Sequence, residues 1–258
     1  MASLFDMHIH TTKGSSDSSL SPEDMVLEAE RLGFFGLCIT EHSGPWDQHE
    51  FQRFASQHNL VLIRAMEVET DMGHILAFGL DRYLPGIARA RELRKAVDEV
   101  GGFIISAHPF RGLYNPRPLS KPLLYKDMLS VPSTVDEAAQ HPVFSLVDAV
   151  EVANGGTPDN ENRFAVMVAR HLGLKVTGGS DAHSQHGLGR CVTVFEGEVN
   201  SDEEFMNALR RGRFYPAVLA PNNRTLNGAW VPVPEPFTAC EGEEEDTNTA
   251  QPGGEEGS

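Results

Sequence analysis

Two histidines near the start of the chain constrain its fold more than any other feature. His8 and His10 end a short apolar segment, 5–10, that has the length and pattern of a β-strand. Side chains on a strand alternate between its two faces, so both imidazoles point the same way. Such a pair can form half of a metal site, although the same spacing also occurs on ordinary polar strand faces. Which of the two it is depends on whether the rest of the chain supplies further ligands.

Strand-like and helical patterns alternate along most of the 258 residues. Buried strands are predicted at 34–40, 60–66, 74–80, 103–107, 147–152, 175–177 and 191–195. Helices are predicted at 21–32, 47–58, 86–100, 134–140, 158–172 and 201–211. The proline-rich segment 110–132 between them is predicted to be a long loop, of the kind that often covers a functional site. This alternation predicts an α/β fold with a parallel sheet, either open or closed into a barrel.

Metal-binding residue types fall at or just past the ends of the predicted strands. They are His8, His10, His42, Glu67, His108, Asp181 and His183. The carboxyl ends of the strands of an α/β barrel converge on one mouth, so these side chains are expected to meet there. Imidazole and carboxylate ligands without thiolates suit Zn²⁺, Mn²⁺ or Fe²⁺.

Six stretches of the chain resemble the PHP (polymerase and histidinol phosphatase) superfamily. They are Asp6-Met7-His8-Ile9-His10, Ile39-Thr40-Glu41-His42, Glu67 after a strand, Ser106-Ala107-His108-Pro109, Val150-Glu151-Val152-Ala153-Asn154 and Gly179-Ser180-Asp181-Ala182-His183. The resemblance implies a distorted (β/α)₇ barrel with its metal site at the carboxyl ends of the strands. Residues 187–213 resemble the PHP-associated region that often follows, so the barrel unit is expected to span 1–231. The acidic tail at 232–258 is predicted to be disordered.

The resemblance also implies two or three divalent ions and their ligands. The first ion would be held by His8, His10, Glu67 and Asp181. Glu67 would also bind the second ion, together with His108 and His74, and the third would be held by Asp17, His42 and His183. His74 is at a position that varies within the family, and its alternative interpretation is a polar residue that opens a strand.

The predicted reaction is hydrolysis of a small phosphomonoester, for example a nucleotide. A water between two metal ions loses its proton near neutral pH and can then attack phosphorus. His183 and His42 are candidate proton donors to the leaving oxygen, and Asp181 is the third predicted catalytic residue. The candidate substrate-binding residues are Arg111, Asn154, Arg163 and Arg190. For each arginine, a solvated surface charge is the alternative.

Two further acids are expected to support the ligands rather than to bind metal. Asp6 shares the inward face of its strand with His8 and His10. Glu41 precedes His42 and either orients a ligand or takes part in a buried ion pair.

Four other functions remain open at this stage. They are a histidinol-phosphate phosphatase, an exonuclease acting on short oligonucleotides, an amidohydrolase and a metal-binding regulatory module without activity. Nothing in the sequence selects the imidazole of histidinol phosphate. An amidohydrolase is disfavoured because Glu67 stands where a modified lysine usually bridges the metals. The regulatory module is disfavoured because the full set of predicted ligands is retained.

Charge and cysteine content limit the partners and the compartment. The formal net charge is −16, and half of it comes from the eight acids of 235–258. Affinity for long nucleic acid depends on basic surface, so a small phosphorylated substrate is expected instead. The three cysteines lie far apart, which suggests a reducing compartment. With no signal-peptide pattern and no apolar run of about 18 residues, the expected location is cytoplasmic, with no membrane contact.

Overall fold

A curled, mixed sheet organises the part of the chain that the computed structural model describes, which is residues 2–114, 122–126, 128, 130–220 and 230–233. Within these residues its strands are β1 Ser3–Ile9, β2 Gly36–Glu41, β3 Val61–Thr70, β4 Gly73–Phe78, β5 Phe103–Ser106, β6 Ala149–Asn154, β7 Lys175–Gly179, β8 Cys191–Phe195, β9 Phe214–Leu219 and β10 Trp230–Pro232. Their order is β10-β9-β8-β1-β2-β3-β4-β5-β6-β7. An isolated bridge joins Ile9 to Ala182, so the end of β1 meets the segment that follows β7. The sheet therefore curls towards a barrel.

Helices cover the outside of this sheet. They are α1 Pro22–Leu32, α2 Gln48–Ala55, α3 Ala90–Glu99, α4 Val135–Ala139, α5 Asp159–Leu172 and α6 Asp202–Arg211. The side chains of Ser21 and Ser201 cap α1 and α6, as the sequence predicts. Each accepts a hydrogen bond from the backbone amide three residues later. None of the described helices has both the length and the hydropathy needed to cross a bilayer.

The sheet is mixed rather than parallel, which corrects one expectation from the sequence. β3 and β4 form an antiparallel hairpin, and β4 is also antiparallel to β5. Only Asp71 and Met72 connect β3 to β4, and a parallel crossover needs a dozen residues or more. Gly73 completes the turn with a φ of 85°. The α/β class and the curled sheet are confirmed, whereas the count of seven βα units is not.

Several boundaries also differ from those predicted. β3 continues to Thr70, so Glu67 lies inside a strand rather than past its end. β9 and β10 follow the last predicted helix and were not expected. Of the predicted loop 110–132, residues 115–121, 127 and 129 lie outside the described residues, and so does 234–258 of the predicted disordered tail.

Candidate metal centre

Four side chains form what we call the inner group: His8, His10, Glu67 and Asp181. The Nε2 atoms of His8 and His10 are 3.0 Å apart. They lie 3.5 and 3.3 Å from Glu67 Oε2, and 3.4 and 3.3 Å from Asp181 Oδ1. All four residues are buried or nearly so: His8 is on β1, His10 directly follows it, Glu67 is on β3, and Asp181 is in the turn after β7. The curl of the sheet thus brings together side chains that are up to 173 positions apart, from His8 to Asp181.

The second oxygen of Glu67 faces a middle group, which we define as Glu67, His74 and His108. Glu67 Oε1 lies 2.8 Å from His74 Nδ1 and 3.0 Å from His108 Nε2. His74 is on β4 and His108 directly follows β5, so the antiparallel hairpin places His74 within reach of Glu67. The two oxygens of one carboxylate therefore face two separate groups of ring nitrogens.

An outer group consists of Asp17, His42 and His183. Asp17 Oδ2 lies 3.5 Å from His42 Nε2 and 3.2 Å from His183 Nε2. These side chains are 58%, 34% and 31% exposed, in contrast to the buried inner group. His42 Nδ1 also lies 3.3 Å from Glu67 Oε2, which connects the outer group to the inner one.

The hydrogen bonds of the inner histidines leave their Nε2 atoms without a proton when the rings are neutral. His8 Nδ1 donates to Glu151 Oε1 over 3.0 Å, so the lone pair of that ring is on Nε2. His10 Nδ1 contacts Ser15 Oγ at 3.1 Å, and that hydroxyl gives its own proton to Glu41. His10 Nδ1 must then be the donor, and its Nε2 also carries a lone pair.

This arrangement fits a divalent cation. When the rings are neutral, two ring lone pairs and two carboxylate oxygens converge there, and a cation would offset their mutual repulsion. Nitrogen and oxygen ligands of this kind suit Zn²⁺, Mn²⁺ or Fe²⁺. His8 bonded to Glu151 is the carboxylate–histidine pair that commonly orients a metal ligand.

The pKa values of the inner group follow from the same crowding. Burial lowers the pKa of His8, but the charges of Asp181, Glu151 and Glu67 outweigh it and hold this pKa well above its ordinary value. Burial raises the pKa of Glu67, but the neighbouring histidines, first of all His8, outweigh it and hold this pKa well below its ordinary value. The carboxylates thus stay ionised, and the site attracts positive charge.

Two of the clustered residues have unusual backbone conformations. His108 has a φ of 30° and Asp181 a φ of 53°, and they are the only non-glycine residues with positive φ in the described chain. The Asp181 amide donates to His8 O over 2.7 Å, and the His108 amide donates to Glu151 Oε2 over 2.9 Å. Strain of this sort costs on the order of 1–3 kcal/mol and is concentrated at functional sites.

Asp6 and Glu41 both contact parts of the centre without touching its converging nitrogens. Asp6 accepts hydrogen bonds from the amides of Ser180, Gly189 and His8, and burial raises its pKa to about 6. Glu41 is fully buried and accepts from four donors, and it forms no ion pair within the described residues. The structure therefore favours a supporting role for each.

The three candidate arginines occupy two different places. The Arg111 guanidinium contacts Asp181 Oδ2 and also donates to Asn154 Oδ1 (2.6 Å) and Thr157 Oγ1 (3.1 Å). Arg163 and Arg190 instead line a cavity of about 1110 Å³ between α5, β8 and β9. Asn154 and Thr157, which accept hydrogen bonds from Arg111, also line this cavity, so the cavity is adjacent to Arg111. Only Arg111 thus reaches the clustered ligands.

Three residues of the site have no assigned role in the sequence interpretation: Ser15, Glu151 and Thr157. Glu151 gave a signal, because an acid inside a buried strand needs partners. Ser15 and Thr157 lie in polar loops, where nothing in the sequence distinguishes them from their neighbours.

Two family models match the chain. The model described as the PHP domain matches residues 6–128, and the one described as PHP-associated matches 159–214, which together make up more than half of the sequence. The chain belongs to the PHP family. No curated protein sequence matches the chain.

Solved structures share the fold of this PHP protein at low sequence identity. A two-domain protein from Bacteroides vulgatus, described as containing a predicted PHP-like metal-dependent phosphoesterase, is 20% identical, with a TM-score of 0.60 over 84% of this chain and 64% of its own. A putative metal-dependent phosphoesterase from Bifidobacterium adolescentis is 19% identical, with a TM-score of 0.53 over 81% of this chain and 96% of its own. A lesion-specific endonuclease from Pyrococcus furiosus is 20% identical, with a TM-score of 0.56 over 86% of this chain and 60% of its own. This chain thus spans less than two thirds of the Bacteroides and Pyrococcus proteins.

Proposed function

We propose that this protein is a phosphoesterase that hydrolyses small phosphomonoesters with the help of two or three divalent cations. One observation carries the proposal: the two oxygens of Glu67 face two different sets of ring nitrogens, at 2.8–3.0 Å and 3.3–3.5 Å. A carboxylate shared in this way is the usual bridge of a two-metal site. Bound cations would activate a water and offset the charge of the phosphoryl oxygens. Zn²⁺, Mn²⁺ and Fe²⁺ are the proposed ions.

The residues of this chain have separate roles in the proposed reaction. His8, His10, Glu67 and Asp181 would hold the first cation, His74 and His108 the second with Glu67, and Asp17, His42 and His183 the third. Asp181 has a pKa well below its ordinary value: burial opposes this shift, but the nearby His8 and His10 outweigh burial. It therefore stays an anionic acceptor, which suits its proposed part in the catalytic group.

Phosphate binding is assigned to Arg111. Its guanidinium is the one among the three candidate arginines that touches a clustered ligand, Asp181, and it is about one-third exposed. A guanidinium offers paired donors that match phosphoryl oxygens. Release of Asp181 to a bound cation would free these donors for the phosphate of the substrate.

Protonation of the leaving oxygen is assigned to the outer histidines in the form with two cations, in which their ring nitrogens are not occupied as ligands. His42 and His183 are the partly exposed rings of the centre, so a leaving group reaches them before it reaches the buried ones. Burial and the neighbouring His10 lower the pKa of His42. A lowered pKa makes the protonated ring a stronger acid and also reduces the protonated fraction near neutral pH.

The cavity beside Asn154 is proposed to hold the leaving group. Its lining includes Val152, Val166, Met167 and Val218, while Arg163 and Arg190 supply positive charge. A large leaving group with apolar surface, such as a nucleoside, fits this lining better than glycerol does. A nucleotide belongs to the favoured class, and long nucleic acid does not, because the chain carries a net charge of −16.

A cytoplasmic location is proposed from the free thiols of Cys38 and Cys191.

Phosphate release from metal-reconstituted protein tests the proposal. The protein is stripped with a chelator, reloaded with Mn²⁺ or Zn²⁺, and given a panel of phosphomonoesters. We expect release from at least one class, with Asp181→Asn reducing the rate at least 100-fold and the exposed Asp98→Asn leaving it unchanged. Full metal occupancy with no phosphate released from any substrate would refute the proposed function.

A further inference from the structure

Glu41 is a buried carboxylate with a complete set of hydrogen-bond donors. Its Oε2 accepts from the Thr11 amide at 3.1 Å and from Ser15 Oγ at 2.6 Å. Its Oε1 accepts from Trp46 Nε1 at 2.9 Å and from the Thr11 hydroxyl. The side chain is fully buried, and it does not touch a ring nitrogen of the centre. Four donors on a residue without direct ligand contact call for an explanation.

Ser15 connects this carboxylate to His10. The Ser15 hydroxyl has one proton, which goes to Glu41, because a carboxylate has none to give. Ser15 Oγ then accepts from His10 Nδ1 at 3.1 Å and from the His42 amide at 3.2 Å. The direction of these bonds places the ring proton of His10 on Nδ1. Its Nε2 lone pair is thereby directed at Glu67 and Asp181.

The same carboxylate shapes the turn that carries Asp17. A Cβ on Gly14 would come within 2.6 Å of Glu41 Cβ, so the turn is drawn tightly over the Glu41 side chain. The amides of Gly14 and Ser15 both approach Thr11 O, and Ser18 Oγ donates to His10 O over 2.8 Å. Asp17 stands between these contacts and faces His183. The inner and outer groups thus share one support.

We propose that Glu41 is a positioning residue that fixes the tautomer of His10 through Ser15 and so prepares the inner group for a cation. The inference rests on the metal centre of the proposed function and on no feature of the substrate. It is tested by zinc binding alone, so a failed phosphatase assay leaves it standing.

Substitution of Glu41 by glutamine tests this role, because each oxygen of the carboxylate faces one group that can only donate a hydrogen bond and cannot accept one. The Thr11 amide on Oε2 and the Trp46 indole on Oε1 only donate, whereas the Ser15 and Thr11 hydroxyls can also accept. The glutamine NH₂ is therefore placed against another N–H donor in both orientations of the amide: the Trp46 indole in one and the Thr11 amide in the other. When it faces Ser15, the Ser15 proton turns to His10 Nδ1, and the ring proton moves to Nε2, where it blocks the cation.

Removal of the indole N–H should rescue the glutamine variant. In Glu41→Gln with Trp46→Phe, the NH₂ can point to the former Oε1 position and donate to the Thr11 hydroxyl. The glutamine oxygen then accepts from the Thr11 amide and from Ser15, as the carboxylate does, and His10 keeps its proton on Nδ1. A purely structural role for Glu41 predicts the opposite, because the double variant has lost the most packing and hydrogen bonding.

Zinc affinity of the full chain, measured by competition with a chromophoric chelator, tests the inference. We expect Glu41→Gln and Ser15→Ala to bind zinc 10–100-fold more weakly, as is typical when a partner of a metal-bound histidine is lost. Trp46→Phe should remain within threefold of the unchanged protein, and so should Glu50→Gln, which changes a half-exposed acid paired with Lys13. The double variant should remain within threefold of Trp46→Phe. Nitrogen-15 spectra of the histidine rings in the zinc-loaded protein should show the His10 proton on Nδ1 in the rescued variant. Unchanged affinity in Glu41→Gln, or a double variant that binds no tighter than Glu41→Gln, would overturn the inference.

Discussion

Whether a histidine of the centre can bind a cation depends on which of its ring nitrogens carries the proton. Glu151 fixes this choice for His8, and Ser15 fixes it for His10. The sequence predicts that the two rings share a face, because the spacing of strand side chains is regular. It does not predict their partners, because Glu151 is 143 positions from His8 and meets it only when the sheet curls.

Glu67 provides the most direct residue-level prediction. Glu67→Gln removes the charge that two groups share, so we expect zinc affinity to fall at least 100-fold and phosphate release to fall by a similar factor. Glu69→Gln is the matched control, since it changes an exposed acid two positions further along β3. Chelator competition and phosphate release measure both variants. Equal behaviour of the two variants would rule out a bridging role for Glu67.

Asp6 predicts how stability depends on pH in the metal-free protein. Its pKa is raised by burial from its ordinary value of 3.8 to about 6 in the fold, so the folded state binds the proton more tightly than the unfolded chain does. The contribution of Asp6 to the free energy of unfolding should therefore be fully present below pH 4 and fall by roughly 3 kcal/mol as the pH rises through 6. Asp6→Asn should lack this contribution. Urea unfolding from pH 4 to 8 with a chelator present measures the difference, and parallel curves for both proteins would contradict it.

The β3–β4 hairpin is the element that sequence periodicity failed to predict. Apolar runs at 60–66 and 74–80 have the composition of buried parallel strands, and composition does not record strand direction. The direction is set by the two-residue connection at Asp71 and Met72. It matters for function, because only the antiparallel pairing brings His74 back to Glu67.

Gly73 tests the hairpin. Its φ of 85° is unfavourable for alanine, so Gly73→Ala should lower the free energy of unfolding by about 1–2 kcal/mol and weaken zinc binding at the middle group. Gly86→Ala carries the same backbone strain at a φ of 90°, with no atom within 4 Å of the new Cβ. It should lose similar stability and keep its zinc affinity. Full zinc affinity in Gly73→Ala would show that the hairpin does not position His74 for the metal.

The fold brings candidate metal ligands from distant parts of the chain together at one end of the curled sheet. This could be predicted from sequence, because His8, His42, His108 and Asp181 all fall at strand ends and such ends converge in α/β folds. The cavity could not, since it depends on β9, a strand beyond the last predicted helix. Arg111, Arg163 and Arg190 could not be told apart from the sequence, because the cavity that Arg163 and Arg190 line could not be predicted.

That cavity predicts a preference among substrates. Arg163→Ala and Arg190→Ala should raise KM at least tenfold for phosphomonoesters with a bulky leaving group, and by less than twofold for glycerol phosphate, which leaves the cavity empty. Arg53→Ala, on α2, is the control for loss of one positive charge. Steady-state rates on the two substrate classes separate the effects. Equal changes in KM for both classes would show that the cavity does not hold the leaving group.

The central claim is that one buried carboxylate, Glu67, is shared between two cations. Crystals of the protein soaked with Mn²⁺ or Zn²⁺, with anomalous diffraction recorded at the edge of the metal, test it most directly. We predict one peak within about 2.0–2.2 Å of Glu67 Oε2 and the Nε2 atoms of His8 and His10, and a second at the same range from Glu67 Oε1 and His108 Nε2. Full metal occupancy with no peak bound to Glu67, or a single peak bound to both of its oxygens, would contradict the claim.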